Sequence, residues 1–239
     1  MGKFNISIEP LNEEYLLISW PSKILLEISE ELLAFEDLIS IEFKDLILNT
    51  NPTYASLCIR FDLEKTTLSN LKKLLLEAYR VFHFNRVETK KYWEIPVYYD
   101  PSVGPDLLEC CKETSLDLEN FIDLHTAPLY RIYFIGFLPG FLYLGGLHQK
   151  LSIPRKKTPR PKVPAGSIGI AGDQTGIYPQ SSPGGWQLIG QTKVSLFNSS
   201  ENPPTPFQAG DYLRFTKISK EAFQNASNFP TRKTMENDG

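Results

Sequence analysis

Eleven of the chain's fifteen glycines fall between Gly136 and Gly190. Within that window, PAGSIGIAGDQTGIYPQSSPGGW (Pro164–Trp186) holds a single charged residue, Asp173. Such a stretch cannot run on as helix, because an interior glycine costs about 1 kcal/mol relative to alanine and a proline about 3. Short apolar runs, YRIYFIGF, SIGIAG, WQLIG and KVSLF, alternate with these breakers, and DYLRFTKI follows the Ala209–Gly210 turn. That cadence predicts a small all-β barrel or sandwich in the second half of the chain.

The first ninety residues read differently. FNISIE (Phe4–Glu9), YLLISW (Tyr15–Trp20), ISIEFKDLILNT and YASLCIRF have strand character. A helix opening at Pro21–Ser22 would put Ile24, Leu25, Ile28, Leu32 and Leu33 on one side, and a second, Thr67–Phe82, would bury Leu68, Leu71, Leu75 and Ala78. If KYWEIPVYY (Lys91–Tyr99) is the last strand, the strand–helix–strand–strand–helix–strand order is ferredoxin-like. The expected class is α+β: residues 1–90 an N-terminal α/β domain, with its boundary in Asn85–Lys91. Residues 91–219 form a β-barrel domain entered through two helices, Gly104–Lys112 and Leu116–Thr126, and residues 220–239 a frayed tail.

The chain's net charge of −3 conceals a division. From Leu124 to Ser200 there are eight bases and one acid, so that segment carries +7 and the remainder −10. A cationic island in an acidic chain suits a small anionic ligand or an acidic partner surface, not nucleic acid, whose binders spread charge over a whole face. No apolar run approaches the ~18 residues of a membrane span. The N-terminus lacks a signal-peptide layout. Three cysteines make no disulfide framework, and three histidines without a CxxC give no metal signature. A reducing cytoplasm is the expected compartment. GxxxxGK[ST] is absent, and the glycines of GSIGIAG (Gly166–Gly172) are not spaced as GxGxxG.

What the glycine-rich half offers chemically is uncovered backbone N–H groups, from Gly166, Gly184 and Gly185, beside the bases Arg155, Lys156 and Arg160. The guanidinium fork suits carboxylate or phosphate, so Arg155 and Arg160 are the expected anion holders. Gln174, Thr175 and Tyr178 add donors and acceptors. Trp186 is either a barrel plug or a wall for a flat ring, and the Gly-Phe-x-Pro-Gly turn offers Phe137, Pro139 and Gly140 to a pocket. His125 ends the helix LDLENFIDLH and shares its apolar face with Leu118, Phe121 and Ile122; it is either a core histidine or a general acid/base.

HTAPLYR (His125–Arg131), GFLPGFLYLGGL (Gly136–Leu147) and IPRKKTPRPKVPAGSIGIAGDQTGIYPQSSPGGWQLIG (Ile153–Gly190) closely resemble the KipI/PxpB family. Its members are also described as allophanate hydrolase subunit 1-like, or as half of a urea-amidolyase-type carboxyltransferase domain. The motifs cover roughly Ile95 to Thr216, while the first ninety residues match in element order alone. Lys156 and Gln191 stand where the family commonly has arginine, and LNEEY replaces its Gly-Asp turn.

The resemblance implies an N-terminal α/β domain followed by a cyclophilin-like β-barrel. It implies the B-type subunit of an ATP-dependent 5-oxoprolinase, which would use ATP with Mg and act with a C-type partner and an A-type subunit. It raises His125 as the catalytic candidate. Two alternatives stand beside it: a regulatory protein that inhibits a sensor histidine kinase, and a carboxyltransferase or allophanate hydrolase-like subunit. For the latter, any biotin must come from elsewhere, since the chain has no Ala-Met-Lys-Met segment.

Overall fold

The computed structural model describes residues 2–84, 91–228 and 230–234. It divides into two compact units, Met1–Glu88 and Thr89–Gly239. The expected boundary at Asn85–Lys91 falls almost wholly outside the described residues.

In the first unit the order is β1 (Ser7–Pro10), β2 (Tyr15–Ser19), α1 (Leu26–Glu42), β3 (Ile47–Pro52), β4 (Ser56–Phe61) and α2 (Leu68–Val81). The strands form one antiparallel sheet in the order β1-β2-β4-β3. Alternation puts Leu16 and Ile18 of β2 and Leu57, Ile59 and Phe61 of β4 on one buried face. Both helices cover that face, α1 through Ile28, Leu32, Phe35 and Ile39 and α2 through Leu71, Leu75 and Ala78. The spacing 28, 32, 35, 39 explains why α1 continues through Ile39–Glu42, where the sequence suggested strand. Its start is also later than expected, leaving Ile24 and Leu25 exposed. Thr67, expected as the first residue of this helix, is its cap, its Oγ1 accepting from Asn70 N–H.

The ferredoxin-like order fails at its sixth element. β5 (Lys91–Val97) belongs to the second unit, where it lies parallel to β13 (Tyr212–Lys217) in the register Trp93↔Leu213. Its alternating Trp93, Ile95 and Val97 suit any half-buried strand, so nothing local decides which sheet receives it.

After β5 come α3 (Leu107–Thr114), α4 (Leu118–Thr126), β6 (Tyr130–Ile135), β7 (Leu142–Gly145), β8 (Arg160–Val163), β9 (Ser167–Ala171) and β10 (Gln174–Ile177). β11 (Ser182–Gly184), β12 (Gln187–Gln191), β13, α5 (Lys220–Gln224) and β14 (Thr231–Thr234) complete the unit. Eight strands make one sheet in the order β12-β9-β10-β7-β6-β13-β5-β14, and β8 pairs with β11 separately. A bridge between Tyr98 and Gln191, with bonds of 2.9 and 3.0 Å, joins the end of β5 to β12 and turns the sheet back on itself. Its interior is filled by Ile95, Ile132, Leu144, Ile168, Ile170, Ile177, Leu213 and Phe215, all fully buried, with α3 and α4 packed into the same core.

Where a frayed tail was expected over 220–239, residues 220–228 and 230–234 carry two further elements, and the remainder lies outside the described residues. Ser219 caps α5 by accepting from Ala222 N–H, and Phe223 is buried. β14 then adds antiparallel to the free edge of β5, so a polar TRKT segment becomes an edge strand.

Candidate functional site

Gly169 and Gly176 face each other across β9 and β10. Alternation turns Ile168, Ile170 and Ile177 into the core and these two glycines to the opposite face. A Cβ on Gly169 would stand 3.0 Å from the Trp186 Cβ, and one on Gly176 would stand 3.0 Å from Trp186 Cζ3. The paired glycines are therefore a slot for an indole. Trp186 lies in it, 5% exposed, edge-on to Phe141 and Tyr178. Gly184 serves the same end, since a Cβ there would meet the Tyr178 hydroxyl at 2.5 Å.

Around this aromatic cluster opens a pocket of about 410 Å³. Phe137, Phe141, Tyr143, Tyr178 and Trp186 form its walls, Arg155 and Lys156 its cationic side, and Ser182, Gly184 and Gly185 its polar edge. Arg155 is exposed, its guanidinium 5.7 Å from the Trp186 ring, a cation–π distance. Among the described residues it has no carboxylate within ion-pair reach. Lys156 is fixed by its own backbone, N–H to Gly185 O at 2.7 Å.

Phe137 stands at the mouth, 62% exposed, with φ +66°. Leu138 N–H donates to Gly136 O at 2.8 Å, closing a three-residue turn with Phe137 at its centre. A positive φ there is the rare, strained form of such a turn, and bulky residues avoid it. Strain of this kind persists where the surroundings enforce it, and Phe137 is held edge-on against Phe141 at 5.6 Å.

One residue behind the pocket had no place among the expected site residues. Asp106, just before α3 and 5% exposed, accepts from Leu188 N–H at 2.7 Å through one oxygen. Its other oxygen takes Arg160 at 2.5 Å and Lys156 at 3.0 Å. Burial alone would raise its pKa, but the Leu188 amide, Arg160 and Lys156 outweigh that and hold it below the usual carboxylate range. The only sequence signal was an acid at the head of a helix, GPDLLE, fifty residues from its partners.

The expected site residues thus separate. Arg155, Phe137, Tyr178, Gly184, Gly185 and Trp186 line the pocket. Arg160 does not; it turns to Asp106 and to Trp186 O at 3.4 Å. Pro139, Gly140, Gly166, Gln174 and Thr175 are also outside the lining. Gly140 (φ +81°) packs on Phe197, Gly166 (φ +76°) packs on the Thr192 carbonyl, and Gln174 is a β10 residue paired with Ala171. Of the expected amide donors, Gly166 gives its N–H to Tyr178 O at 2.7 Å, and the missing side chains of Gly166, Gly169, Gly176 and Gly184 make room for neighbouring atoms.

His125 is the larger correction. It is 0% exposed and stacks on Phe215 with centroids 4.8 Å apart. Thr175 Oγ1 donates its one proton to Gly169 O (3.0 Å), so at 3.0 Å from His125 Nε2 it must accept. Nε2 therefore carries the imidazole proton, and Nδ1 accepts from the Tyr99 hydroxyl at 2.8 Å. Burial pushes the pKa down to about 3. This neutral relay ties α4 to β10 and β9 and reaches no ligand.

Magnesium held through a nucleotide takes only one or two protein carboxylates, and Asp106, beside the pocket, has both oxygens engaged. Among the described residues no group of three or more His, Cys, Asp or Glu is placed to hold a metal. Nor is any described helix long and apolar enough to cross a membrane.

The family model for the carboxyltransferase domain, subdomain C and D, matches residues 6–207. The chain belongs to this carboxyltransferase-domain family. The match takes in the first unit as well, which carried none of the recognisable motifs. Among members, the 5-oxoprolinase B-type subunit of Haemophilus influenzae is 39% identical over 88% of this chain and 97% of its own length. The Bacillus subtilis protein of the same name is 52% identical over 56% of this chain, but the chain spans only 58% of that relative's length. In fold, this mixed α/β carboxyltransferase-domain chain superposes on the Kluyveromyces lactis urea carboxylase with a TM-score of 0.77, at 16% identity, over 95% of this chain and 24% of that one.

Proposed function

We propose that the chain is the B-type subunit of a 5-oxoprolinase-type complex and binds the ring substrate in the Trp186 pocket. The observation that carries this reading is the pairing of an aromatic slot with an uncompensated guanidinium, Arg155, above the same indole. A flat lactam ring suits the aromatic walls and its carboxylate suits Arg155. The names of the relatives support the assignment to such a complex. The curled sheet of the second unit is read as the cyclophilin-like barrel of this family.

The chain holds and orients: no nucleophile with an adjacent base lines the pocket among the described residues, and His125 is locked in the core. ATP and magnesium would then be handled by a C-type partner, with an A-type subunit completing ring opening to glutamate in the cytoplasm. That division is supported by the engagement of both Asp106 oxygens by protein groups beside the pocket. Co-expression with C-type and A-type subunits and an assay of ATP-dependent glutamate formation from 5-oxoproline tests it. Removing a charge-assisted hydrogen bond costs about 1.5–3 kcal/mol, so Arg155→Ala should lower kcat/KM roughly tenfold to a hundredfold. Full activity in that variant would refute the assignment of the pocket.

A further inference from the structure

Three cations converge near the pocket, and one buried carboxylate divides them. Arg160 is committed to Asp106 and to the Trp186 carbonyl. Lys156 lines the pocket yet gives its ammonium to the same Asp106 oxygen at 3.0 Å. Arg155 alone of the three faces the pocket without a carboxylate partner among the described residues. An incoming ligand therefore meets one unshared positive charge, Arg155, and behind it a cluster in which the two positive charges of Lys156 and Arg160 share one buried negative charge.

We infer that Asp106 sets the charge of the ligand, selecting a single negative charge over a dianion such as a phosphate monoester. This rests on the pocket's being the ligand site. The first negative charge is met by Arg155. A second must compete with Asp106 for Lys156, and it approaches an Asp106 side chain that is 7% exposed, where charges are poorly screened. Asp106 cannot withdraw: its second oxygen holds the Leu188 amide, and its own N–H donates to Leu188 O at 3.0 Å. Asp106 is thus a positioning residue for the two bases and a selectivity element through its charge.

Asp106→Asn keeps the shape and an acceptor for Leu188 N–H while removing the charge. Calorimetric titration of the full chain at pH 8, with benzoate as monoanion and phenyl phosphate as dianion, reads the effect as a ratio of Kd values. Wild type should prefer benzoate, and Asp106→Asn should shift the ratio toward phenyl phosphate by about tenfold. A merely structural role would weaken both probes alike and leave the ratio unmoved, which would overturn the inference. Lys156→Gln leaves Asp106, Arg160 and α3 in place, and should move the ratio the opposite way; an unchanged ratio there counts equally against it. If neither probe binds wild type, the pocket reading itself falls, and this inference with it.

Discussion

Acidification from about pH 6.5 downward should loosen the second unit, because His125 is buried neutral. Its folded pKa is about 3 against an ordinary 6.5, so between those values the unfolded chain takes up a proton that the native chain refuses. Stability is whole above pH 6.5 and falls as pH drops toward 3, by about 1.4 kcal/mol per unit in mid-window. At pH 4.5 the loss is about 2.7 kcal/mol, and it barely changes if the folded value lies a unit higher, because the unfolded value sets the onset. That is a large part of a typical domain's 5–15 kcal/mol. Urea unfolding at pH 7 and pH 4.5 measures it; in a Trp20→Phe background the remaining tryptophans, Trp93 and Trp186, both report the second unit. His125→Gln should be less stable at pH 7 by about 1–3 kcal/mol, since Gln cannot reproduce the relay, but should lose the slope between pH 6.5 and 4.5. An equal slope in wild type and variant would refute the buried neutral imidazole as its source.

Two substitutions separate the packing role of the glycine slot from the ligand role of the mouth. Gly176→Ala puts a methyl 3.0 Å from both Leu142 O and Trp186 Cζ3, so it should destabilise by about 1–3 kcal/mol and change Trp186 fluorescence; a silent substitution would mean the indole is not seated there. Phe137→Gly relieves a φ of +66° and removes an edge contact worth about 0.5–1.5 kcal/mol, so its melting temperature should stay within a few degrees of wild type while binding of a flat monoanion weakens at least severalfold. Unchanged affinity would show that the strain has another cause.

Where a local pattern had one reading, the sequence carried it through: a helix opening at Thr67, and a second half built of short strands. Topology was less legible, because β5 has the same alternation whichever sheet it joins, and its parallel partner lies over a hundred residues away. The site was legible in its aromatics and in Arg155. Arg160 was misread because a base looks free until its acid is found, and Asp106 lies outside the cationic segment, on the far side of two helices in the chain. His125 shared a face with Phe121 and Ile122, which was the better guide to its place than the charge its residue type can carry.

The position of the pocket follows from what fills the barrel. Branched aliphatics, Phe215 and the His125 relay fill the interior, and the Trp186 pocket opens on the outer face of the strands. Side chains on that face would ordinarily stand in the way. Paired glycines remove them at two facing positions, and the segment after β11 can then return across the strands and lay Trp186 flat. Once the indole is there, Arg155 has a surface to stack on and Arg160 a carbonyl to bind. Gly169 and Gly176 thus act one step before any ligand contact: they seat the ring that positions the cations, and a side chain at either position should disturb Arg155 without touching it.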